Sequence, residues 1–402
     1  MRKTHLILLA LCAPAFLTTL CAQEAPQAAN AAAEAPAAAL PAPTVETAEY
    51  GKTSDGQQVN LYTLKNANNM SVKLINFGAR VIEISVPDKF GKFDNIVLNL
   101  PNLAAYEADK NYLGPIVGRF GNRLGDAEFK IDGQTYKVPA NENENALHGG
   151  TKGFDKHIWN AEPVKGEDFA GVKFSRVSPD GEMGFPGNLN VEALFKLNNQ
   201  NELSVEYTVT TDKTTVCNLT LHPYFNLAGA GNGNVLTHHV QIPAETITEV
   251  DSELIPTGKL IPVKGTPFDF NEFHALGERI KDFSDKQVKI AGGYDHNFNL
   301  SKPVDIMGLA CRVFHPKSGR VLEIYTQEPA IQLYSGQGQD GSVKGGNGKA
   351  FYKYAAIVLE PQHAPDTPNQ DFFPSTTITP GETFTSKSLY RFSVFDADKD
   401  EQ

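Results

Sequence analysis

The sequence predicts an all-β fold, a large antiparallel β-sandwich with only a few short helices. Three observations lead there. Apolar and polar residues alternate strictly in several runs, turn formers separate those runs at hairpin spacing, and the 402 residues include 34 glycines and 25 prolines. Alternation with period two puts apolar side chains on one sheet face and polar ones on the other. Frequent turn residues divide such a chain into many short strands.

The chain opens with Arg2 and Lys3, followed by an apolar run from Leu6 to Leu11 that continues through Phe16 and Leu17. This is too short for a membrane span. With Ala22 as the small residue before a cut, it reads as a signal peptide over 1–22. A lipid anchor on Cys21 is the rival reading, weakened by the bulk of Leu20. Residues 23–43 reduce to Ala, Pro, Glu and Gln, a composition with little to bury that reads as a disordered linker. Pro36 and Pro41 break any long helix there. Without a later break in composition, 44–398 reads as one β-domain.

Within that domain Ile82, Ile84 and Val86 alternate with Glu83 and Ser85 as a strand. Leu103–Asp109 has the pattern of a turn or two of helix. Phe129–Ile131 and Thr135–Val138 flank Asp132-Gly133, the signature of a tight hairpin. Leu189–Leu197 and Leu203–Val209 form a second hairpin around Asn198–Asn201. A strand over Val216–Leu221 leads into His222. Phe273–Phe283 reads as one short helix. Ile357–Leu359 is a short apolar strand and Leu389–Phe395 closes the domain.

The net charge is −11, and removing Arg2 and Lys3 makes it more negative. Such a chain repels nucleic acid and anionic membranes, so a neutral small molecule is the easier ligand. Once residues 1–22 are removed, Cys217 and Cys311 remain. They read as two buried apolar side chains, with pairing in an oxidising compartment as the alternative.

Five polar clusters stand out. Gly118–Arg123 sets Asn122 between Arg119 and Arg123, and a guanidinium is a rigid fork of donors suited to hydroxyls or a carboxylate. His148 precedes Gly149-Gly150, where backbone allows close approach. His222 is followed by Pro223, which biases it to an extended conformation, with Tyr224 and Phe225 beside it. Asp295 follows Gly292-Gly293-Tyr294. Glu360 ends an apolar strand before Pro361, where burial should raise its pKa toward a useful general base. Each cluster taken alone also reads as an ordinary turn or strand end. His148, His222, Asp295 and Glu360 show no metal-ligand spacing, and no metal or cofactor is expected. His238-His239 points to opposite strand faces.

Taken in order, GRFGNR, NALHGG, LHPYFNL, GGYDHNF, AIQLYSG and VLEPQHAPDTPNQ resemble the aldose 1-epimerase (galactose mutarotase) family, from about Tyr50 to Val394. The resemblance implies that family's large β-sandwich and a shallow sugar cleft. It implies Glu360 as general base, His222 as general acid, and His148 as a second histidine that holds the sugar and helps with proton transfer. It implies Asn122, Arg123, Tyr224, Asp295 and Gln332 as sugar-binding residues. The implied reaction interconverts the α and β anomers of a free hexose by ring opening and reclosure, with base and protonated His222 on opposite sides of the substrate. The partner is a monosaccharide, and the assembly a monomer or homodimer. Gln337 stands where the family commonly has Asn, and Ala364 where Phe or Trp is frequent, which bears on sugar preference. A hexose 6-phosphate epimerase and a non-catalytic sugar-binding protein are the alternatives, with a two-carboxylate glycoside hydrolase further off.

Overall fold

The computed structural model describes residues 40–395. Nearly all of the expected signal peptide and linker, and the last residues of the expected domain, lie outside them.

Alternating burial builds the sheets. Leu189–Asn198 buries every second residue, and it pairs antiparallel with Glu202–Thr211 from Leu189↔Thr211 to Leu197↔Leu203. These two strands belong to a nine-stranded antiparallel sheet whose other members include Phe384–Val394 and Arg320–Thr326. A six-stranded antiparallel sheet runs in the order Tyr224–Phe225, Ile357–Gln362, Ala330–Tyr334, Asp295–Leu300, Ala244–Val250, Pro256–Pro262. One large apolar cluster takes Val191, Phe195, Val205 and Tyr390 from the first sheet and Phe298, Ile331, Leu333 and Leu359 from the second. Burying these side chains between two sheet faces drives the sandwich. A five-stranded sheet covers residues 44–95. Among the described residues only three short α-helices occur, Leu103–Ala108, Leu276–Arg279 and Lys286–Ala291.

The expected hairpins are present, the Asp-Gly one as Glu128–Ile131 and Gln134–Lys137. Three local expectations fail. The strand expected over 216–221 is two pieces, Thr215–Val216 and Thr220–Leu221, which pair with different partners. Cys217 N–H donates to Thr376 O between them, and Asn218 N–H to Arg119 O, so tertiary partners override the local apolar pattern. The helix expected over 273–283 shrinks to 276–279, because His274–Ala275 joins the large sheet as an edge pair. Helix Lys286–Ala291 was not expected. Asp285 caps it by accepting from Gln287 N–H and Val288 N–H, and Gly292 ends it at φ 66°. Cys217 and Cys311 are both buried free thiols.

The pleat of the six-stranded sheet decides where chemistry can occur. Leu333, Ile331 and Leu359 point into the sandwich core, so Gln332, Tyr334, Val358 and Glu360 point to the other face. On that face Glu360 lies beside Gln332, which lies beside Asn297. Tyr334 lies beside Asp295 in the same way.

Candidate active site

A cavity of about 220 Å³ opens on this outer face. It is smaller than the ~300–1,000 Å³ of drug-sized sites, a volume for one small ring. Its walls include Asn122, Arg123, His148, His222, Tyr224, Asp295 and Glu360, residues separated by as many as 238 positions of chain.

Glu360 is 2% exposed and carried on a strand buried along its whole length. Its Oε2 has no hydrogen-bond partner among the described residues. Burial, with the Asp295 charge adding and Arg123 opposing, pushes its carboxyl up to about 8. His222 follows the short strand Thr220–Leu221. Its N–H donates to Pro115 O at 3.0 Å and its carbonyl accepts from Gly114 N–H at 2.9 Å, so the backbone is held from both sides. Its Nε2 is 3.7 Å from Glu360 Oε1. Burial lowers the imidazole to about 4. Burial of both groups therefore favours a protonated carboxyl and a neutral ring at rest. The two groups are also neighbours, not placed on opposite sides of a ring-sized gap.

Arg123 is the electrostatic hub. Its Nε and Nη2 donate to both carboxylate oxygens of Glu142 at 2.6 and 3.0 Å, and Nη2 reaches Asp295 Oδ2 at 3.4 Å. The two anions raise its pKa against the opposing effect of burial. Asp295, the first residue of its strand, also accepts from Gln332 Nε2 at 2.7 Å. Asn122 Oδ1 accepts from Arg123 N–H at 2.9 Å. The Asn122 N–H donates to His148 Nδ1 at 3.1 Å.

Two of the expected sugar-binding residues also brace their neighbours. The Tyr224 hydroxyl donates to Asn111 O at 2.8 Å, so that donor is already used, and the ring packs 5.3 Å from that of His222. Gln332 is 2% exposed behind Asp295, whose carboxylate it orients. Arg119 is turned away, with its guanidinium bonded to Ser178 and to the carbonyls of Pro186 and Gly187. Gln337 and Ala364 do not line the cavity. Gln337 closes its own loop through Ser335, Ala291 and Tyr294. Sequence reading missed Glu142 and Tyr112. Glu142 lies in the run Asn141-Glu142-Asn143-Glu144-Asn145, which has the composition of a polar turn, and its six-residue spacing from His148 was the one available clue. Tyr112 packs edge-on against His148, with ring centres 4.6 Å apart.

His148, His222 and Glu360 bring one ligand atom each to within 4.8 Å of one another, close enough to be weighed as a metal set.

The family profile described as "Aldose 1-epimerase" matches residues 60–391, almost the whole sandwich. The chain belongs to the aldose 1-epimerase family. Among relatives, it is 39% identical to the galactose mutarotase of Homo sapiens over 352 residues, 87% of this chain and 99% of the other. It is 33% identical to the aldose 1-epimerase of Escherichia coli K12 over 341 residues, 84% and 96% of the two chains. Among solved structures, a galactose 1-epimerase from Lactobacillus acidophilus superposes with TM-score 0.78 at 27% identity, covering 88% of this chain and 99% of the other. An aldose epimerase homologue from C. elegans gives 0.75 at 27%, covering 88% and 100%. The antiparallel sandwich is thus the architecture of aldose 1-epimerase relatives.

Proposed function

We propose that this aldose 1-epimerase interconverts the anomers of a free hexose such as galactose or glucose, with Glu360 and His222 moving the protons. The observation that carries this is the single-ring cavity with those two side chains 3.7 Å apart in its wall. The anomeric hydroxyl oxygen and the ring oxygen are bonded to one carbon, so neighbouring groups serve both. Glu360 as carboxylate takes the anomeric proton while His222 as imidazolium protonates the ring oxygen, and the C1–ring-oxygen bond breaks. The product is the open aldehyde, with the proton now on Glu360 and His222 neutral, the distribution that burial favours. Rotation about C1–C2 presents the other carbonyl face. Glu360 then returns its proton to the carbonyl oxygen as the former ring oxygen, now a hydroxyl, attacks C1 and gives its proton to His222. Each positioned transfer is worth about 10²–10⁴-fold. Arg123 and Asp295 bind the hydroxyls during the rotation.

A hexose 6-phosphate would need an uncompensated cation. Arg123 is already committed to Glu142 and Asp295, leaving Lys110 at the rim. The motif over residues 1–22 supports export to the periplasm or medium, with a lipid anchor at Cys21 as the other form of the same reading.

Polarimetry on freshly dissolved α-galactose and α-glucose tests the proposal. The enzyme should speed the approach to the same final rotation as the uncatalysed control. A different final rotation means a different reaction, and an unchanged rate removes the proposal.

A further inference from the structure

The backbone around His148 fixes more than its position. Asn122 and His148 both hold left-handed backbone, at φ 64° and 52°, a region that Asn and His enter more readily than most residues. In that conformation they bond reciprocally: His148 N–H donates to Asn122 O at 3.0 Å, and Asn122 N–H donates to His148 Nδ1 at 3.1 Å. The loop cannot relax away. Gly149 has φ 89°, and a Cβ there would meet Gly118 O at 2.0 Å. Asn141 ties the preceding residue, accepting from Leu147 N–H at 2.7 Å and donating to Leu147 O at 3.0 Å. Tyr112 packs against the ring.

A backbone N–H has only a proton to offer. The nitrogen that accepts it therefore carries none, and in a neutral imidazole the other nitrogen must carry one. Turning the ring over would set a carbon against the Asn122 amide, which is buried and would lose its acceptor. Nε2 has no protein partner among the described residues, and His148 lines the cavity.

We infer that the Asn122 amide locks His148, a ring already expected to hold the sugar, in its Nε2–H tautomer, so that it is neither a proton shuttle nor a metal ligand. This rests on the sugar-pocket reading above. A shuttle would need Nδ1 or Nε2 to exchange its proton, and Nδ1 is held as an acceptor. A metal on Nδ1 would displace the Asn122 amide. A metal on Nε2 would need the tautomer that this amide forbids. The His148–His222–Glu360 cluster therefore lacks its third ligand.

Nitrogen-15 NMR on the intact, histidine-labelled protein tests the inference, with His148 assigned by its loss in His148→Gln. A single Nε2–H tautomer that does not titrate between about pH 5 and pH 9 is expected. A proton on Nδ1, or a ring that titrates in that range, overturns it. Kinetics give a second reading. His148→Gln keeps a donor and His148→Leu does not, so Leu should lower kcat/KM about tenfold further, with both limbs of the pH profile unmoved in Gln. A limb missing in His148→Gln makes His148 a proton-transfer group. Zinc chloride should act equally on wild type and His148→Gln; inhibition lost in the variant makes His148 a ligand. Wild-type polarimetry on the same sample separates failure of the sugar reading, since the tautomer is read without turnover.

Discussion

Changing pH changes the number of protons on the Glu360–His222 pair, and that count sets the rate. Burial holds the carboxyl up to about 8 and the imidazole down to about 4. Between those values the pair carries one proton. Ring opening uses that proton on His222 and ring closure uses it on Glu360. At a fixed proton count the division between the two groups does not vary with pH. The profile of kcat/KM, which reports the free enzyme, should therefore be flat from about 4 to about 8. Below the window a second proton blocks the base. Above it, loss of the last proton removes the acid. Each limb falls about tenfold per pH unit, so two units above the upper edge the rate is about a hundredfold down. Initial-rate polarimetry on α-galactose, corrected for spontaneous mutarotation at each pH, measures this. A sharp bell with a limb near the ordinary histidine value of about 6.5 would refute the reasoning, because it would mean that the cavity does not desolvate His222.

Three further outcomes follow from the same geometry. The folded-state pKa of Glu360 lies above its ordinary 4.5, so the stability its protonated form contributes is complete below that value and is lost as pH rises through about 8. Glu360→Gln removes the buried charge and should melt a few degrees above wild type near pH 9 and level with it near pH 4; equal melting points at both pH values would contradict this burial cost. Glu142→Gln breaks the two-pronged grip on Arg123 and should raise KM about tenfold with kcat within a few-fold, and an unchanged KM would show that Arg123 needs no such brace. Gly149→Ala puts a Cβ 2.0 Å from Gly118 O at a left-handed position and should cost about 3 kcal/mol or more in urea unfolding; a variant as stable as wild type would show that this loop can move.

The sandwich was legible because its strands alternate so regularly: Leu189–Asn198 and Glu202–Thr211 are readable from pattern alone. Pattern failed where tertiary partners decided the backbone. Asn218, held by Arg119, and His274, drawn to a sheet edge, carry no local sign of either. In the site, Glu360, His222, His148, Asp295 and Arg123 were found because each stands in a distinctive run of Gly, Pro or aromatic residues. Glu142 was not, because its importance comes from meeting Arg123 across 19 residues of chain. Tyr224 and Gln332 were placed correctly in the fold, but sequence could not show that the Tyr224 hydroxyl already donates to Asn111 and the Gln332 amide nitrogen to Asp295. Nor could it show that His222 and Glu360 share one buried environment, which is what favours the resting proton on the carboxyl.

The most direct measurement is the rate of α-galactose mutarotation by Glu360→Gln at pH 6, alongside a check by circular dichroism that the sandwich is intact. Exchanging one carboxyl for an amide of the same shape leaves the cavity and its hydroxyl contacts in place but cannot accept the anomeric proton. A fall of at least about a hundredfold is predicted. A folded variant that still turns over within a few-fold of wild type would show that the anomeric proton leaves by another route.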